Sequence, residues 1–290
     1  MHVLQPDSLA EALAAKAEHP DAVPVAGGTD VMVEFNFDRR RPAAMLDLTR
    51  VPELAQCGRD NGTVRLGSGV TYTRLISELA AELPGLAIAS RTVGSPQIRN
   101  RGTVGGNLGT ASPAGDALPP LIANSARVEV ASAARGPRFV DAADFIVRPK
   151  QSALEPDELI VAVHVPAARG PQQFAKIGSR NAMVIAVASF ALVVDREART
   201  VGTAIGSAGP TVNRAAEAEA FLGGALADAD QWNRPSTLDR AVVTRFGELV
   251  AAAARPRDDL RGTAAYRRHA LGVVARRALV WAWRDLERTD

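Results

Sequence analysis

Ala26-Gly27-Gly28-Thr29-Asp30, and Thr103-Val104-Gly105-Gly106-Asn107 running on into Ala111-Ser112-Pro113-Ala114-Gly115-Asp116, are the stretches that decide how this chain is read. Paired glycines remove the Cβ atoms that keep backbone N–H groups away from an anion, so two such turns brought together can grip a diphosphate. A dinucleotide cofactor is the natural ligand of that arrangement. Taken alone, Gly27-Gly28 is equally a strand-to-helix turn that uses glycine to reach positive φ. The second stretch adds weight, because Gly102, Gly105, Gly106 and Gly109 crowd beside Asn107, whose amide both donates and accepts.

The surroundings of the first turn read as helix, strand, turn, helix. Asp7 or Ser8 caps a helix whose apolar face is Leu9, Ala12, Leu13 and Ala15, Glu11 completes a capping box, and His19-Pro20 ends it. Residues 22–26 form a short apolar strand delivering the turn, after which Val31, Met32 and Phe35 begin a helical turn. Strands are expected at 44–48 and 64–66. A helix from Thr71 or Thr73 runs through Leu75, Ile76, Leu79 and Leu83 until Pro84-Gly85 interrupts it, and a further helical piece covers 86–93. The glycines and prolines of 94–116 exclude a regular element there, and a long loop inside a compact domain is usually functional.

Further along, 127–131, 159–165 and 174–177 carry β-branched alternation. Residues 184–194 and 200–207 form an antiparallel pair across a polar turn, and helices cover 214–222, 238–254 and 263–286. A boundary near Lys176 divides the chain into an α+β domain at 1–175 and a strand-then-helix domain at 176–290.

Composition narrows the function classes. The 290 residues are enough to bury a large core, and 47% hydrophobic with 23% charged residues is ordinary for a globular chain. A net charge of +2 with scattered Lys and Arg gives little support to nucleic-acid binding. Cys57 is the only cysteine, which rules out an internal disulfide and a thiolate-held iron–sulfur cluster on this chain. No apolar run reaches the length of a membrane span and the N-terminus lacks a leader pattern, so the expected location is the cytoplasm. Neither a Ser-His-Asp series nor metal-ligand spacing is evident, so no catalytic side chain and no metal site are assigned. Leu66-Gly67-Ser68-Gly69 begins like a nicotinamide-binding Rossmann fingerprint, but Tyr72 stands at the third glycine position and no acidic residue follows at the required distance; it reads as a strand end and turn.

With the two glycine turns, Ser112-Pro-Ala-Gly-Asp116 and the tail Asp259-Leu-Arg-Gly-Thr-Ala-Ala-Tyr-Arg-Arg-His269, the chain over nearly its whole length resembles the FAD-binding medium subunits of the molybdenum hydroxylases, the family of xanthine and carbon monoxide dehydrogenases. The resemblance implies a vanillyl-alcohol-oxidase-type FAD-binding domain of two α+β lobes, followed by a smaller domain with a three-stranded antiparallel sheet and helices. It implies FAD extended between lobes and domains with its diphosphate against the two turns.

Residue by residue, the resemblance places Pro24, Val25, Ala26, Gly27, Gly28, Thr29, Asp30 and Val31 in one cofactor-contacting stretch. Thr103, Val104, Gly105, Gly106 and Asn107 form the other. Both are expected to provide approachable N–H groups. Asp116 matches an acidic cofactor contact, Val93 and Ile160 match apolar ones, and Lys176 matches a cation that favours negative charge on reduced flavin or phosphate. Without the resemblance, Asp116 serves equally as a helix cap before 117–122, Val93 and Ile160 as plain core, and Lys176 as a solvated lysine. Some relatives carry histidine where this chain has Thr29. Its histidines are His2, His19, His164 and His269, none near either turn, so the flavin is expected to be non-covalent. Arg267, Arg268, Arg276 and Arg277 on the terminal helix face solvent, a partner or carboxylates of the second domain.

The function so implied is an oxidoreductase subunit for electron transfer. A large molybdopterin-containing subunit oxidises the substrate, and a small subunit with two-iron two-sulfur clusters passes the electrons to FAD on this chain, which delivers them to an external acceptor. The assembly is a dimer of heterotrimers. The alternatives are a stand-alone flavin-binding or assembly protein, and a self-contained FAD-dependent oxidase without those partners.

Overall fold

The computed structural model describes residues 2–287. Its first lobe is β1 (His2–Leu4), α1 (Leu9–Glu18), β2 (Val23–Val25), α2 (Val31–Asn36) and β3 (Ala44–Asp47), with the strands in a parallel sheet of order β1-β3-β2. The Ser8 hydroxyl accepts the Glu11 N–H at 3.2 Å, and the Glu11 carboxylate reaches back to the Asp7 N–H at 2.9 Å, a capping box displaced by one residue. Ala12, Leu46, Val51 and Leu54 fill the core beneath.

The second lobe contains β4 (Cys57–Asp60), β5 (Thr63–Gly67), α3 (Tyr72–Glu78), α4 (Pro84–Arg91), α5 (Pro96–Arg101), α6 (Val104–Thr110), α7 (Leu118–Ala123), β6 (Arg127–Ser132), β7 (Gly136–Asp141), α8 (Ala142–Phe145), β8 (Ile146–Arg148), β9 (Gln151–Ser152) and β10 (Leu159–Pro166). An antiparallel sheet of order β4-β5-β10-β6-β7 carries the helices, and β8 and β9 form a two-stranded sheet of their own. The apolar run of β10 is buried on both faces. Leu159 and Val161 enter the first lobe's core while Ile160, Val163 and Val165 enter the second lobe's; the alternation is switched by a bulge between Ile160 and Ala162, and one strand thereby holds two lobes together.

The remainder is β11 (Gln172–Ile177), β12 (Ala188–Asp195), β13 (Thr200–Gly206), α9 (Ala216–Asp228), α10 (Arg240–Ala253) and α11 (Ala264–Glu287). The strands form an antiparallel sheet of order β11-β12-β13. Phe190 and Leu192 pack with Phe246, Leu271 and Leu279 of the helices, whereas Phe174, Ala191 and Ala204 join the second lobe's core. Two α+β lobes and a smaller domain with a three-stranded antiparallel sheet and helices are thus the architecture expected. The division drawn between Ala175 and Lys176 falls inside β11, which pairs along its whole length with β12.

Three stretches depart from the sequence reading. Residues 94–116 hold two short helices where an irregular loop was expected, because Ser95 with Pro96 and then Thr103 supply N-caps that start each one. β12 begins at Ala188 and leaves 184–187 as loop, with Ile185 53% exposed. The helix expected to run to Leu83 stops at Glu78. The strands β1, β4 and β7 were not anticipated; each is short or lies at a sheet edge, where apolar alternation is weakest.

Candidate functional site

The two glycine stretches, some seventy residues apart in the chain, converge on one cleft of about 920 Å³, within the size range of small-molecule and cofactor sites. Gly27 is packed so tightly against the end of α5 that a Cβ there would lie 1.9 Å from the Arg101 carbonyl oxygen. Gly28 has φ +73°, the conformation that turns the chain from β2 towards α2. Across the cleft, the Thr110 hydroxyl at the end of α6 donates to the Asp30 carboxylate at 3.1 Å.

The two stretches offer different chemistry. Among the described residues, the N–H groups of Gly27, Gly28, Thr29, Asp30 and Val31 donate no hydrogen bond, so the first turn presents consecutive unpaired donors. Among the described residues, the second presents only the Thr103 N–H. Val104 donates to the Val70 carbonyl, Gly105 to Ser68 and Asn107 to Thr103, and the Gly106 N–H is taken by the Thr103 hydroxyl at 3.0 Å. The expectation of approachable N–H groups on both stretches is therefore narrowed for the second to Thr103, since the N–H groups of Val104 and Gly105 are taken by the Val70 and Ser68 carbonyls and those of Gly106 and Asn107 by Thr103 at the start of α6. Gly105 is filled from behind, since a Cβ would lie 2.4 Å from the Ser68 Cβ. At Gly106 only the Thr103 hydroxyl, 3.1 Å away, meets a Cβ, and the rest is open cleft. Because Thr103 caps α6, Thr103→Ala is expected to cost about 1 kcal/mol and lower Tm by roughly 2 °C, checked by thermal unfolding.

Of the residues singled out from the sequence, Pro24, Ala26 to Val31, Val93, Thr103, Gly105, Gly106, Asn107, Asp116 and Ile160 line the cleft. Val25, Val104 and Lys176 do not. Val104 is wholly buried core. Lys176 lies behind the wall: its ammonium is 2.5 Å from Asp116 Oδ2 and 3.3 Å from the Thr92 carbonyl, with the two side chains only 7% and 8% exposed. Asp116 is no helix cap, for α7 starts after Ala117 without a side-chain cap. Burial pushes the Asp116 carboxyl above its ordinary value, against the pull of the Lys176 ammonium and the Thr92 hydroxyl.

Three cleft-lining residues, Asn107, Asp116 and Tyr72, each carry a buried polar oxygen without a hydrogen-bond partner in the protein: Asn107 Oδ1, Asp116 Oδ1 and the Tyr72 hydroxyl. Such atoms are costly to bury unmatched, which fits a site completed by a polar ligand. Burial, and secondarily the Asp116 charge, pushes the Tyr72 hydroxyl up, keeping it a donor. Tyr72 escaped the sequence reading because it marked only a failed glycine position. Glu34 and Lys150 also line the cleft without any local motif, and Val184 and Ile185 do so from the loop that a strand was expected to occupy. On α11, Arg267 is buried and bonded to Asp259 and to the Ser207 carbonyl, so it is spent within its own domain.

The chain matches two family models in succession, the FAD binding domain in molybdopterin dehydrogenase over residues 1–168 and the CO dehydrogenase flavoprotein C-terminal domain over 173–282. It is 29% identical to the xanthine dehydrogenase FAD-binding subunit of Escherichia coli O157:H7, covering 94% of this chain and 92% of that one. It is 30% identical to the carbon monoxide dehydrogenase medium chain of Hydrogenophaga pseudoflava, covering 96% and 95%. The solved structure of carbon monoxide dehydrogenase from Hydrogenophaga pseudoflava lacking the Mo-pyranopterin moiety superposes with a TM-score of 0.88 over 98% of each chain, at 30% identity. With its fold, its cleft and both family models in agreement, the chain belongs to the FAD-binding medium subunits of the molybdenum hydroxylases, the oxidoreductase family of the xanthine and carbon monoxide dehydrogenases.

Proposed function

We propose that this chain holds FAD non-covalently in the cleft and serves as the electron-transfer flavoprotein of a molybdenum hydroxylase. The observation that carries the reading is the run of unpaired N–H groups from Gly27 to Val31, a nest suited to a diphosphate. Around it, Gly106 leaves room for close approach, Val93 and Ile160 offer apolar surface to a ring system, and Asn107 and Asp116 offer unmatched oxygens to hydroxyl or amide donors. Thr29 contributes no covalent ligand chemistry, which favours a dissociable cofactor. The chemistry supplied with FAD bound is the conversion of single electrons into pairs, and the protein's part is to position and tune it.

The electrons come from two-iron two-sulfur clusters on a small subunit, fed by a large molybdopterin-containing subunit, and leave to an external acceptor. In support, the relatives above are named as one subunit or chain of a larger dehydrogenase, and the single cysteine leaves no cluster on this chain. We place the assembly, a dimer of heterotrimers, in the cytoplasm; no helix among the described residues is long and apolar enough to cross a membrane. We place the domain boundary before β11, a reading supported by the two family models meeting between residues 168 and 173.

Titration of FAD into the purified chain is expected to give saturable binding with a flavin visible spectrum, and no uptake would defeat the reading. Purification of the tagged chain from its native host is expected to recover molybdenum- and iron-containing partners. Recovery of the flavoprotein alone would favour the self-contained oxidase.

A further inference from the structure

The β8–β9 hairpin carries a strap across the mouth of the cleft. Lys150 sits at its tip with φ +65°, its N–H donating to the Ala111 carbonyl just beyond α6, which ties the backbone to the second lobe. Its side chain crosses to the first lobe, where the ammonium lies 3.0 Å from Glu34 and 3.6 Å from Asp30. Asp30 belongs to the run of unpaired N–H groups, and all three side chains line the cleft.

The electrostatics of this corner are unbalanced for a polyanion. A diphosphate carries two negative charges into a corner that already holds the carboxylates of Asp30, in the turn, and Glu34, on α2. Lys150 is the cation in contact with these two carboxylates. The ammonium itself stays solvated, Lys150 being 58% exposed against 57% for Asp30 and 27% for Glu34, and pairs with an exposed partner contribute little. A lysine is also suited to the task, as a compact point charge on a flexible stem that can turn from one anion to another.

We infer that Lys150 is the electrostatic latch of the cofactor site: it neutralises the diphosphate of the bound nucleotide, with Glu34 as the carboxylate that holds it in readiness and competes for it. This rests on the reading of the cleft as the FAD site. The latch distinguishes ligands by their diphosphate, so its effect is the same for FAD and ADP and absent for riboflavin.

The test uses the full chain with FAD, ADP and riboflavin as probes, each Kd measured by calorimetry or fluorescence at several salt concentrations, with a thermal melt of each variant. Lys150→Gln is expected to weaken FAD and ADP about tenfold, as for loss of one charge-assisted contact, to flatten their salt dependence and to leave riboflavin unchanged. Lys150→Arg is expected to restore most of the affinity. Glu34→Gln is expected to change affinity in the opposite direction, tightening FAD and ADP. Unchanged ADP affinity in Lys150→Gln, or equal weakening of riboflavin, would overturn the latch while leaving FAD binding in place. Failure of the unaltered chain to bind FAD or ADP would overturn the site reading and the latch with it.

Discussion

Gly106→Val is expected to weaken FAD binding about 100-fold while Tm stays nearly unchanged, the largest separation of binding from folding that this site offers. The adjacent glycines differ in what stands against them. At Gly106 a side chain meets only the Thr103 hydroxyl, which can shift by a few tenths of an ångström, and otherwise projects into the cleft. Valine is moreover a better helix residue than glycine, so α6 itself is not weakened. A branched side chain there occupies the space through which the cofactor approaches, and overpacking of this kind costs up to about 3 kcal/mol. Gly105→Val is expected to behave oppositely, because its Cβ would lie 2.4 Å from the Ser68 Cβ and 2.7 Å from the Ser68 carbonyl oxygen, forcing α6 off the second lobe. Fluorescence titration with FAD and a melting curve on each variant separate the two. Wild-type affinity in Gly106→Val would remove the α6 N-terminus from the cofactor's contacts.

The same pair of glycines shows what the chain discloses before its structure is known. Paired glycines, apolar strands and a strand-to-helix rhythm are local signals, and they disclosed an α+β first domain and an antiparallel strand pair in the second; the two lobes, the third strand's place in that sheet and the meeting of the two turns at one cofactor came from the family resemblance. Local signals cannot say which face of a glycine is filled: Gly105 and Gly106 are indistinguishable in the sequence, and their difference arises from Ser68, brought up behind α6 by the sheet. For the same reason both turns were credited with free N–H groups, although Val70, Ser68 and Thr103 take those of Val104 to Asn107. Tyr72 and Lys150 reach the cleft only through tertiary contacts, the first from the helix packed beneath it and the second from a hairpin tip. Lys176, expected at the cofactor, is not among the residues that line the cleft; its ammonium is paired with Asp116, which is.

That buried pair carries the second large effect, on stability. Lys176→Met is expected to cost about 3–5 kcal/mol, because it strands the Asp116 carboxylate, 8% exposed, without its ammonium. The adjoining Thr92 hydroxyl, 3.3 Å away, remains, but a neutral donor compensates a buried charge only in part. Combining Lys176→Met with Asp116→Asn removes both charges and is expected to recover much of the loss, as replacement of whole buried pairs commonly does. The pH dependence has a definite sign. Burial already raises the Asp116 carboxyl, and without Lys176 its proton is held more tightly in the folded than in the unfolded chain. Such a group contributes stability below its unfolded pKa, about 4, and loses it as pH rises through the higher folded value. The deficit of Lys176→Met relative to the unaltered protein is therefore expected to be small near pH 4 and to grow as pH rises above it, and that of the double variant to be nearly flat. Denaturant unfolding across that range measures both. A single-variant deficit independent of pH would mean that Asp116 is not the group left uncompensated, and that Lys176 contributes through its packing on β11 instead.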